Sequence, residues 1–248
     1  MSLSLLRYFS PAINAQTSLQ VIIPQTPGPH PVIYQLHGLS DDASIWQRRT
    51  TIEMHAERIN AMVVMLEGGT SFYTDKADGT GRWEAHILES ITLVDSTYRT
   101  RTDRQGRAIG GLSMGGYGAL KIGLKHAVRF GSIVSHSGAV DMVNRYREFL
   151  KDPYLANLVR SIYAAGVPPT EDIFPLALAA SPLPQIAIDC GVDDFLLEDN
   201  RRLHAHLERN RIAHRYQELP GSHSWEYWQD RLQASFDFHK ACFAAKPG

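Results

Sequence analysis

Residues 110–118 read GGLSMGGYG, which places a single serine, Ser113, among five glycines. Glycine weakens the interior of strands and helices, but it allows sharp turns and close approach between backbone segments. The apolar run RAIGGL (107–112) predicts a strand, and the spacing of apolar residues after Ser113 predicts a helix. We therefore expect a tight turn from strand to helix, with the serine at its tip.

Strand-like and helix-like segments alternate along the chain from residue 31 onward. The run AMVVMLEGG (61–69) is continuously apolar before its glycines, which is typical of a strand buried on both faces. This alternation favours an α/β fold, with a mostly parallel sheet covered by helices on both faces. The predicted strands are 19–24, 31–38, 61–69, 107–112, 131–138, 185–191 and 213–221, and the predicted helices are 45–58, 82–97, 113–127, 196–210 and 224–243, with a mostly helical stretch from 141 to about 180.

The length and composition are those of a globular protein with a sizeable core. Of the 248 residues, 44% are hydrophobic and 21% are charged, which is ordinary for such a domain. No repeat, low-complexity run or linker divides the chain. We therefore expect a single domain that spans residues 1–248.

Several classes of function are disfavoured by charge and patterning. With a net charge of −1 and no basic stripe, the chain is not expected to bind nucleic acid. Arg7 and Ser10 interrupt the apolar residues near the start, and no run approaches the length of a membrane span, so neither secretion nor a membrane location is expected. Cys190 and Cys242 lack the spacing of a metal site or a disulfide framework, which indicates reduced thiols in a cytoplasmic protein. Exposed helices and edge strands near the N-terminus leave association into a homo-oligomer open.

The pattern Gly111-Leu112-Ser113-Met114-Gly115 matches G-x-S-x-G between a predicted strand and a predicted helix. A serine on this strained turn has an exposed hydroxyl, and small residues on either side let the strand and the helix approach each other. A serine hydroxyl is a weak nucleophile and needs a base, which in turn needs an orienting carboxylate. Both are expected after later strands, in the order serine, acid, histidine.

Candidates for the acid and the base follow the last two predicted strands. The strand 185–191 runs into Asp193 and Asp194, and spacing alone does not choose between them. The strand 213–221 runs into a Gly/Ser loop that carries His223, the candidate base. Of the other histidines, His204 and His206 are expected to be solvated, His126, His214 and His239 to lie at the surface or at element ends, and His136 to line the pocket.

Acyl transfer through a serine also needs two donors for the oxyanion. The backbone N–H of Met114 is one, because it follows the serine at the start of the helix. The loop after the strand 31–38 offers the other, since His37-Gly38 allows a turn that leaves the N–H of Leu39 facing the serine. This chemistry requires no cofactor and no metal.

Taken together, these segments resemble the esterase D group of the α/β-hydrolase superfamily, which includes tributyrin-type esterases, S-formylglutathione hydrolases, feruloyl-type esterases and mycolyltransferases. The resemblance implies the α/β-hydrolase fold, with a small helical cap inserted at about 141–182. It also implies Ser113 as nucleophile, Asp194 as acid, His223 as base and the Leu39 and Met114 amides as the oxyanion hole. The segments that carry it are LHGLSDDASIW (36–46), EGGTSFYTD (67–75), GGLSMGGYGALKIGL (110–124), SHSGAVD (135–141), CGVDDFLLEDN (190–200) and PGSHSWEYW (220–228).

The resemblance implies a serine carboxylesterase that acts on a small-molecule ester with a short acyl chain. S-formylglutathione hydrolases of this group usually carry a cysteine and a threonine after HGL, where this chain reads SDDAS. That thioesterase activity, or a feruloyl or acetyl carbohydrate esterase activity, remains the alternative, and a non-catalytic binding module is a third. Candidate substrate-binding residues are Phe72, Tyr73, His136 and Trp225, with further aromatic residues in the cap.

Overall fold

An eight-stranded β-sheet forms the centre of the computed structural model, which describes residues 1–245. The strands are β1 (Ser2–Ser10), β2 (Ala15–Ile23), β3 (Val32–Leu36), β4 (Met62–Leu66), β5 (Arg107–Leu112), β6 (Ser132–His136), β7 (Gln185–Gly191) and β8 (Arg215–Leu219). The helices are α1 (Ile45–Arg49), α2 (Ile52–Ile59), α3 (Trp83–Thr97), α4 (Met114–Lys125), α5 (Met142–Phe149), α6 (Pro153–Tyr163), α7 (Ile173–Ala179), α8 (Leu197–Arg209) and α9 (Trp225–Ala244).

The strand order is β1-β2-β4-β3-β5-β6-β7-β8. β3 to β8 run parallel to one another, whereas β2 pairs antiparallel with both β1 and β4. The predicted α/β-hydrolase fold, with a mostly parallel sheet and helices on both faces, is confirmed. In such a sheet the carboxyl ends of the strands share one edge, where ligands bind.

Both faces of the sheet are covered, and the side chains of the central strands alternate between them. Met62 and Val64 of β4 belong to the hydrophobic cluster that includes residues of α3, α4 and α8, while Val63 and Met65 belong to the cluster that includes residues of α1, α2 and α9 on the other face. Because neither face meets water, β3 to β6 are buried along their whole length. That burial explains why their sequences read as continuous apolar runs.

The strand β1 was not predicted, and β2 begins four residues earlier than expected. β1 lies at the edge of the sheet and alternates exposed and half-buried residues, with Leu3, Leu5 and Phe9 facing outward. Its pairing with β2 over nine residues defines it as a strand. Short apolar pieces broken by polar residues do not reveal such a long-range pairing.

Two further expectations were wrong in detail. The helix predicted over 45–58 is divided in two, because the chain leaves the helical conformation at Thr50. His239 was expected at the surface or at an element end, but it lies within α9 and is fully buried, and its Nδ1 lies 2.8 Å from the hydroxyl of Ser132. It lies three residues after Phe236 and four before Phe243, so it shares the face of α9 that packs on the sheet.

Between β6 and β7 the chain forms α5, α6 and α7, in the stretch expected to be mostly helical. An aspartate caps the start of each helix: Asp141, Asp152 and Asp172 accept hydrogen bonds from backbone amides in the first turn. Glu171 accepts a hydrogen bond of 2.7 Å from the buried Lys121 ammonium and so connects this segment to α4. None of the helices within residues 1–245 has the length and apolarity needed to cross a bilayer.

Candidate active site

The serine turn has the strained geometry that its glycines predicted. β5 ends at Leu112, α4 begins at Met114, and Ser113 between them has φ 54° and ψ −116°, a conformation that non-glycine residues seldom adopt. A Cβ added at Gly111 would lie 2.5 Å from the backbone of Gly115. A Cβ added at Gly115 would lie 2.5 Å from the carbonyl oxygen of Leu36. Close packing of strand and helix therefore requires glycine on both sides of the serine.

Ser113, His223 and Asp194 form one continuous chain of hydrogen bonds. The Ser113 hydroxyl lies 3.0 Å from Nε2 of His223, so it can donate its proton to the ring. On the other side of the ring, the Nδ1–H donates to the Asp194 carboxylate, whose oxygens lie at 2.9 and 3.1 Å. These contacts fix the proton of the neutral imidazole on Nδ1 and leave Nε2 free to accept.

The choice between the two adjacent aspartates is made by the turn after β7. The Asp194 side chain is buried and also accepts a hydrogen bond of 2.8 Å from the amide of Leu196. Asp193 is exposed, and only its backbone is held, by a hydrogen bond to the carbonyl of Gly221. The structure thus places Asp194, and not Asp193, against His223.

The Leu39 and Met114 amides belong to residues that line the same cavity as Ser113. Neither amide donates a hydrogen bond to another group within residues 1–245. The Met114 amide lies at the first position of α4, where the helix dipole favours negative charge. Two donors of this kind can receive the negative charge that develops on a carbonyl oxygen under attack by the serine.

A network around Glu67 holds the loop that carries Leu39. One carboxylate oxygen of Glu67 accepts from the amides of Gly68 and Gly69, at 3.1 and 2.8 Å, and the other accepts from the amide of Ala43, at 3.2 Å. His37 donates from Nδ1 to the carbonyl of Gly38 (2.8 Å), and its Nε2 lies 2.9 Å from the amide nitrogen of Gly68 and 3.3 Å from the Glu67 carboxylate. These bonds connect the loop after β3 to the loop after β4.

The charge of Glu67 is stabilised where it lies. Burial alone would raise its pKa, but the hydrogen bond and charge of His37, with the amides of Gly69 and Ala43, outweigh burial and lower the pKa below its usual value. The sequence analysis did not single out Glu67. A lone acid at the end of a buried apolar run, directly before two glycines, is the signal that could have identified it.

Ser113 and His223 open into a cavity of about 500 Å³ at the carboxyl edge of the sheet. Its lining is mostly apolar, and it includes no Lys or Arg among the residues that the structure describes. Asp41 is an acidic residue in this lining; burial raises its pKa, and the charge of nearby His37 opposes that rise. The aromatic side chains of the lining are Phe72, Phe149, Phe195, Trp225 and Trp228, and its large aliphatic ones are Leu39, Leu112, Met114, Leu155 and Leu196.

Comparisons with known proteins agree with this geometry. A family model described as "Putative esterase" matches residues 10–239. The chain belongs to this esterase family. Over 83% of its length it is 29% identical to an acetyl esterase of Caldicellulosiruptor saccharolyticus, of which it covers 82%. The chain spans only 54% of the length of two other curated relatives, both esterases of Mycobacterium tuberculosis.

Solved structures give the same picture. The esterase superposes on the fluorophosphonate-binding serine hydrolase FphF of Staphylococcus aureus with a TM-score of 0.88 and 27% identity, over 96% of this chain and 98% of that one. Its TM-score with the S-formylglutathione hydrolase FrmB of Staphylococcus aureus is 0.84, with 28% identity and the same shares of the two chains. The protein is therefore a serine hydrolase that acts on carboxylic ester bonds.

Not every residue proposed for substrate binding reaches the cavity of this esterase. Phe72 and Trp225 line it, but Tyr73 and His136 do not. Tyr73 is fully buried and donates its hydroxyl to the carbonyl of His37 at 2.9 Å. His136 is also buried, and its Nδ1 contacts the Asp189 carboxylate at 2.8 Å. Both side chains thus serve the packing beneath the site.

Two aromatic residues at the esterase site were missed. The Phe195 ring lies 4.5 Å from the His223 ring, centroid to centroid, and the Trp228 ring contacts the same imidazole edge-on at 4.9 Å. Phe195 directly follows Asp194, and Trp228 lies one helical turn after Trp225. Both positions could have been found from those spacings.

Proposed function

We propose that this esterase hydrolyses uncharged esters with short acyl chains, using Ser113 as nucleophile, His223 as base and Asp194 as the acid that orients the base. The observation that carries the proposal is the continuous hydrogen-bonded chain from Asp194 through His223 to Ser113, which opens into an apolar cavity. The strained backbone of Ser113 holds the hydroxyl at this position.

In the first half of the reaction the enzyme is acylated. His223 Nε2 takes the proton of Ser113 as the hydroxyl oxygen attacks the ester carbonyl carbon, and the Leu39 and Met114 amides bind the resulting oxyanion. When the tetrahedral intermediate collapses, the bond to the alcohol oxygen breaks, and His223 returns the proton to that oxygen. The alcohol leaves, and the acyl group stays on Ser113.

In the second half, water takes the place of the alcohol. His223 removes a proton from the water as its oxygen attacks the acyl carbon, and the same two amides bind the second oxyanion. Ser113 then leaves with the proton that His223 gives back, and the carboxylic acid is released. Asp194 holds the Nδ1 proton throughout and stabilises the imidazolium in each half.

The cavity supports a small, uncharged substrate. About 500 Å³ is in the lower part of the range for small-molecule sites, and aromatic and aliphatic side chains fit an acyl chain. The lining offers Asp41 but, within the part of the chain described, no cation that could pair with the carboxylates of a glutathione conjugate. An ester is therefore favoured over S-formylglutathione, although the similarity to FrmB keeps that thioester as the second candidate.

A chain-length series of p-nitrophenyl esters, from acetate to decanoate, tests this proposal on wild type and Ser113→Ala. Ser96→Ala, at an exposed serine of α3, is the matched control. We expect maximal kcat/KM on short acyl chains, and a loss of about 10⁴-fold or more in Ser113→Ala but not in Ser96→Ala. Near-native turnover by Ser113→Ala would refute the assignment. A higher kcat/KM on S-formylglutathione or on a feruloyl ester would refute the proposed substrate class.

The organisation and location of the protein are part of the proposal. A single sheet with helices on both faces supports one domain, with α5 to α7 as its cap, and a single cooperative unfolding transition seen by two probes would check this. Cys190 and Cys242 are buried free thiols, which supports a cytoplasmic location. Recovery of native activity in the membrane or extracellular fraction of its own cells would contradict that location.

A further inference from the structure

His204, Glu208 and His214 lie together outside the cavity, where α8 meets the loop that leads to β8. His204 and Glu208 are four residues apart on α8 and therefore share one face of the helix. One ring nitrogen of each histidine and one carboxylate oxygen of Glu208 lie within 4.8 Å of one another. None of the three residues lines the cavity that holds Ser113.

The two imidazole rings are held in place by other groups. His214 donates from Nδ1 to the carbonyl of Ile212 at 2.8 Å, which leaves its Nε2 with a free lone pair directed at His204. The His204 ring stacks on Tyr216, with centroids 4.3 Å apart and planes 12° apart. In metal sites, a histidine ligand commonly donates from its other ring nitrogen to a backbone carbonyl, which fixes the orientation of the ring.

We propose that His204, Glu208 and His214 bind a zinc ion. Two neutral imidazoles and a carboxylate are a donor set that Zn²⁺ accepts, with water in the fourth tetrahedral position. Without metal, the Nδ1–H of His204 donates to Nε2 of His214 at 2.8 Å. Zinc takes the place of this proton at Nδ1, which leaves to solvent, and His204 stays neutral because its Nε2 takes up a proton from solvent.

Only small movements are needed to form the site. Tetrahedral zinc with ordinary Zn–N bonds places two ligand nitrogens about 3.3 Å apart, so the rings must separate by a few tenths of an ångström. The Glu208 side chain is exposed and, among residues 1–245, makes no hydrogen bond or ion pair that would hold it away. The nearby cation Arg201 is already paired with Glu198 and Glu218, so it does not oppose the metal strongly.

A bound zinc would connect α8 to the loop before β8 and would stabilise the folded chain. α8 begins just after Asp194, and β8 leads to the loop of His223, so the ion would stabilise elements on both sides of the site without touching it. We therefore expect zinc to raise the Tm in a concentration-dependent way and to leave kcat for ester hydrolysis unchanged. The zinc site does not depend on the proposed substrate.

Metal binding by the untagged, full-length protein tests the proposal. Zinc affinity is measured by competition with a chromophoric chelator, and Co²⁺ is added as a spectroscopic probe of tetrahedral coordination. We expect one zinc per chain in the wild type, and a loss of affinity of at least about 10- to 100-fold in each of His204→Gln, Glu208→Gln and His214→Gln. His206→Gln is the matched control on the same helix, because the His206 ring is directed to the carbonyl of Phe174.

Ester hydrolysis by each variant shows whether it has folded, since these side chains lie outside the cavity. An active wild type that binds no zinc at about 100 μM free metal, far above the dissociation constants of structural zinc sites, overturns the proposal. It is also overturned if an active Glu208→Gln or histidine variant keeps wild-type affinity, or if His206→Gln loses as much affinity as the three ligand variants.

Discussion

Replacement of Glu67 by glutamine tests whether its charge positions the Leu39 amide, one of the two proposed oxyanion donors. The Glu67 carboxylate accepts hydrogen bonds from the amides of Ala43, Gly68 and Gly69. Glutamine has nearly the same shape, but it carries no charge and has one oxygen instead of two. In the variant, the NH₂ group takes the place of one carboxylate oxygen and faces a backbone N–H, from which it cannot accept a hydrogen bond. The loop that presents Leu39 therefore loses part of its support.

The expected size of the effect follows from these contacts. Of the three bonds, the one from the Ala43 amide joins Glu67 to the loop that carries Leu39. Hydrogen bonds to charged groups contribute about 1.5–3 kcal/mol, so loss of this bond weakens the attachment of the loop by up to about 3 kcal/mol. Complete loss of one oxyanion donor lowers kcat by about 10²- to 10³-fold. Because Leu39 is displaced rather than removed, we expect Glu67→Gln to lower kcat by about 10- to 100-fold.

The assay is steady-state hydrolysis of p-nitrophenyl butyrate, with kcat and KM determined separately. The oxyanion forms only after attack by the serine, so KM is expected to change little. Glu57→Gln is the control, because Glu57 is an exposed glutamate of the preceding helix α2. A kcat for Glu67→Gln within twofold of the wild-type value would refute the reasoning. So would a raised KM at unchanged kcat, since that would assign Glu67 to substrate binding.

Two further results are expected. Asp194→Asn should lower kcat by about 10⁴-fold, because an amide does not hold the Nδ1 proton of His223 as a carboxylate does. Asp193→Asn should leave kcat nearly unchanged. If steady-state kinetics showed the two effects exchanged, the assignment of Asp194 as the acid would be contradicted. Burial, aided by the charge of nearby His136, lowers the pKa of His239 to about 3. His239 therefore stays neutral in the folded protein, whereas in the unfolded chain it binds a proton below about pH 6.5. The free energy of unfolding should therefore fall with decreasing pH, by about 2 kcal/mol more for wild type than for His239→Asn between pH 8 and pH 5; chemical denaturation with equal slopes for both proteins would count against this.

Much of the fold and part of the site could be predicted because these features depend on short runs of consecutive residues. Continuous apolar runs such as 61–69 indicated buried strands because both faces of the sheet are covered. The glycines at 111 and 115 indicated the serine turn, because only a hydrogen atom fits between strand and helix at these positions. The loop positions of His223 and Leu39 followed from the strands that precede them.

Local patterns did not determine which neighbouring side chain faces a distant partner. Asp193 and Asp194 have the same chemistry and the same sequence context, and only the turn after β7 directs one of them to a histidine 29 residues away. Phe72 and Tyr73 are adjacent and both have positive φ, yet one lines the cavity and the other packs beneath it.

The amino-acid sequence by itself determined the α/β architecture with its mostly parallel sheet, the strained serine turn and the loops that carry Asp194 and His223. Each of these depends on the sterics and hydrophobic spacing of a few consecutive residues. The tertiary structure alone decided the choice of Asp194, the edge strand β1 and the bonds that Glu67 makes to two loops. Each of these depends on contacts between segments far apart in the chain, and such contacts exist only when the sheet has assembled.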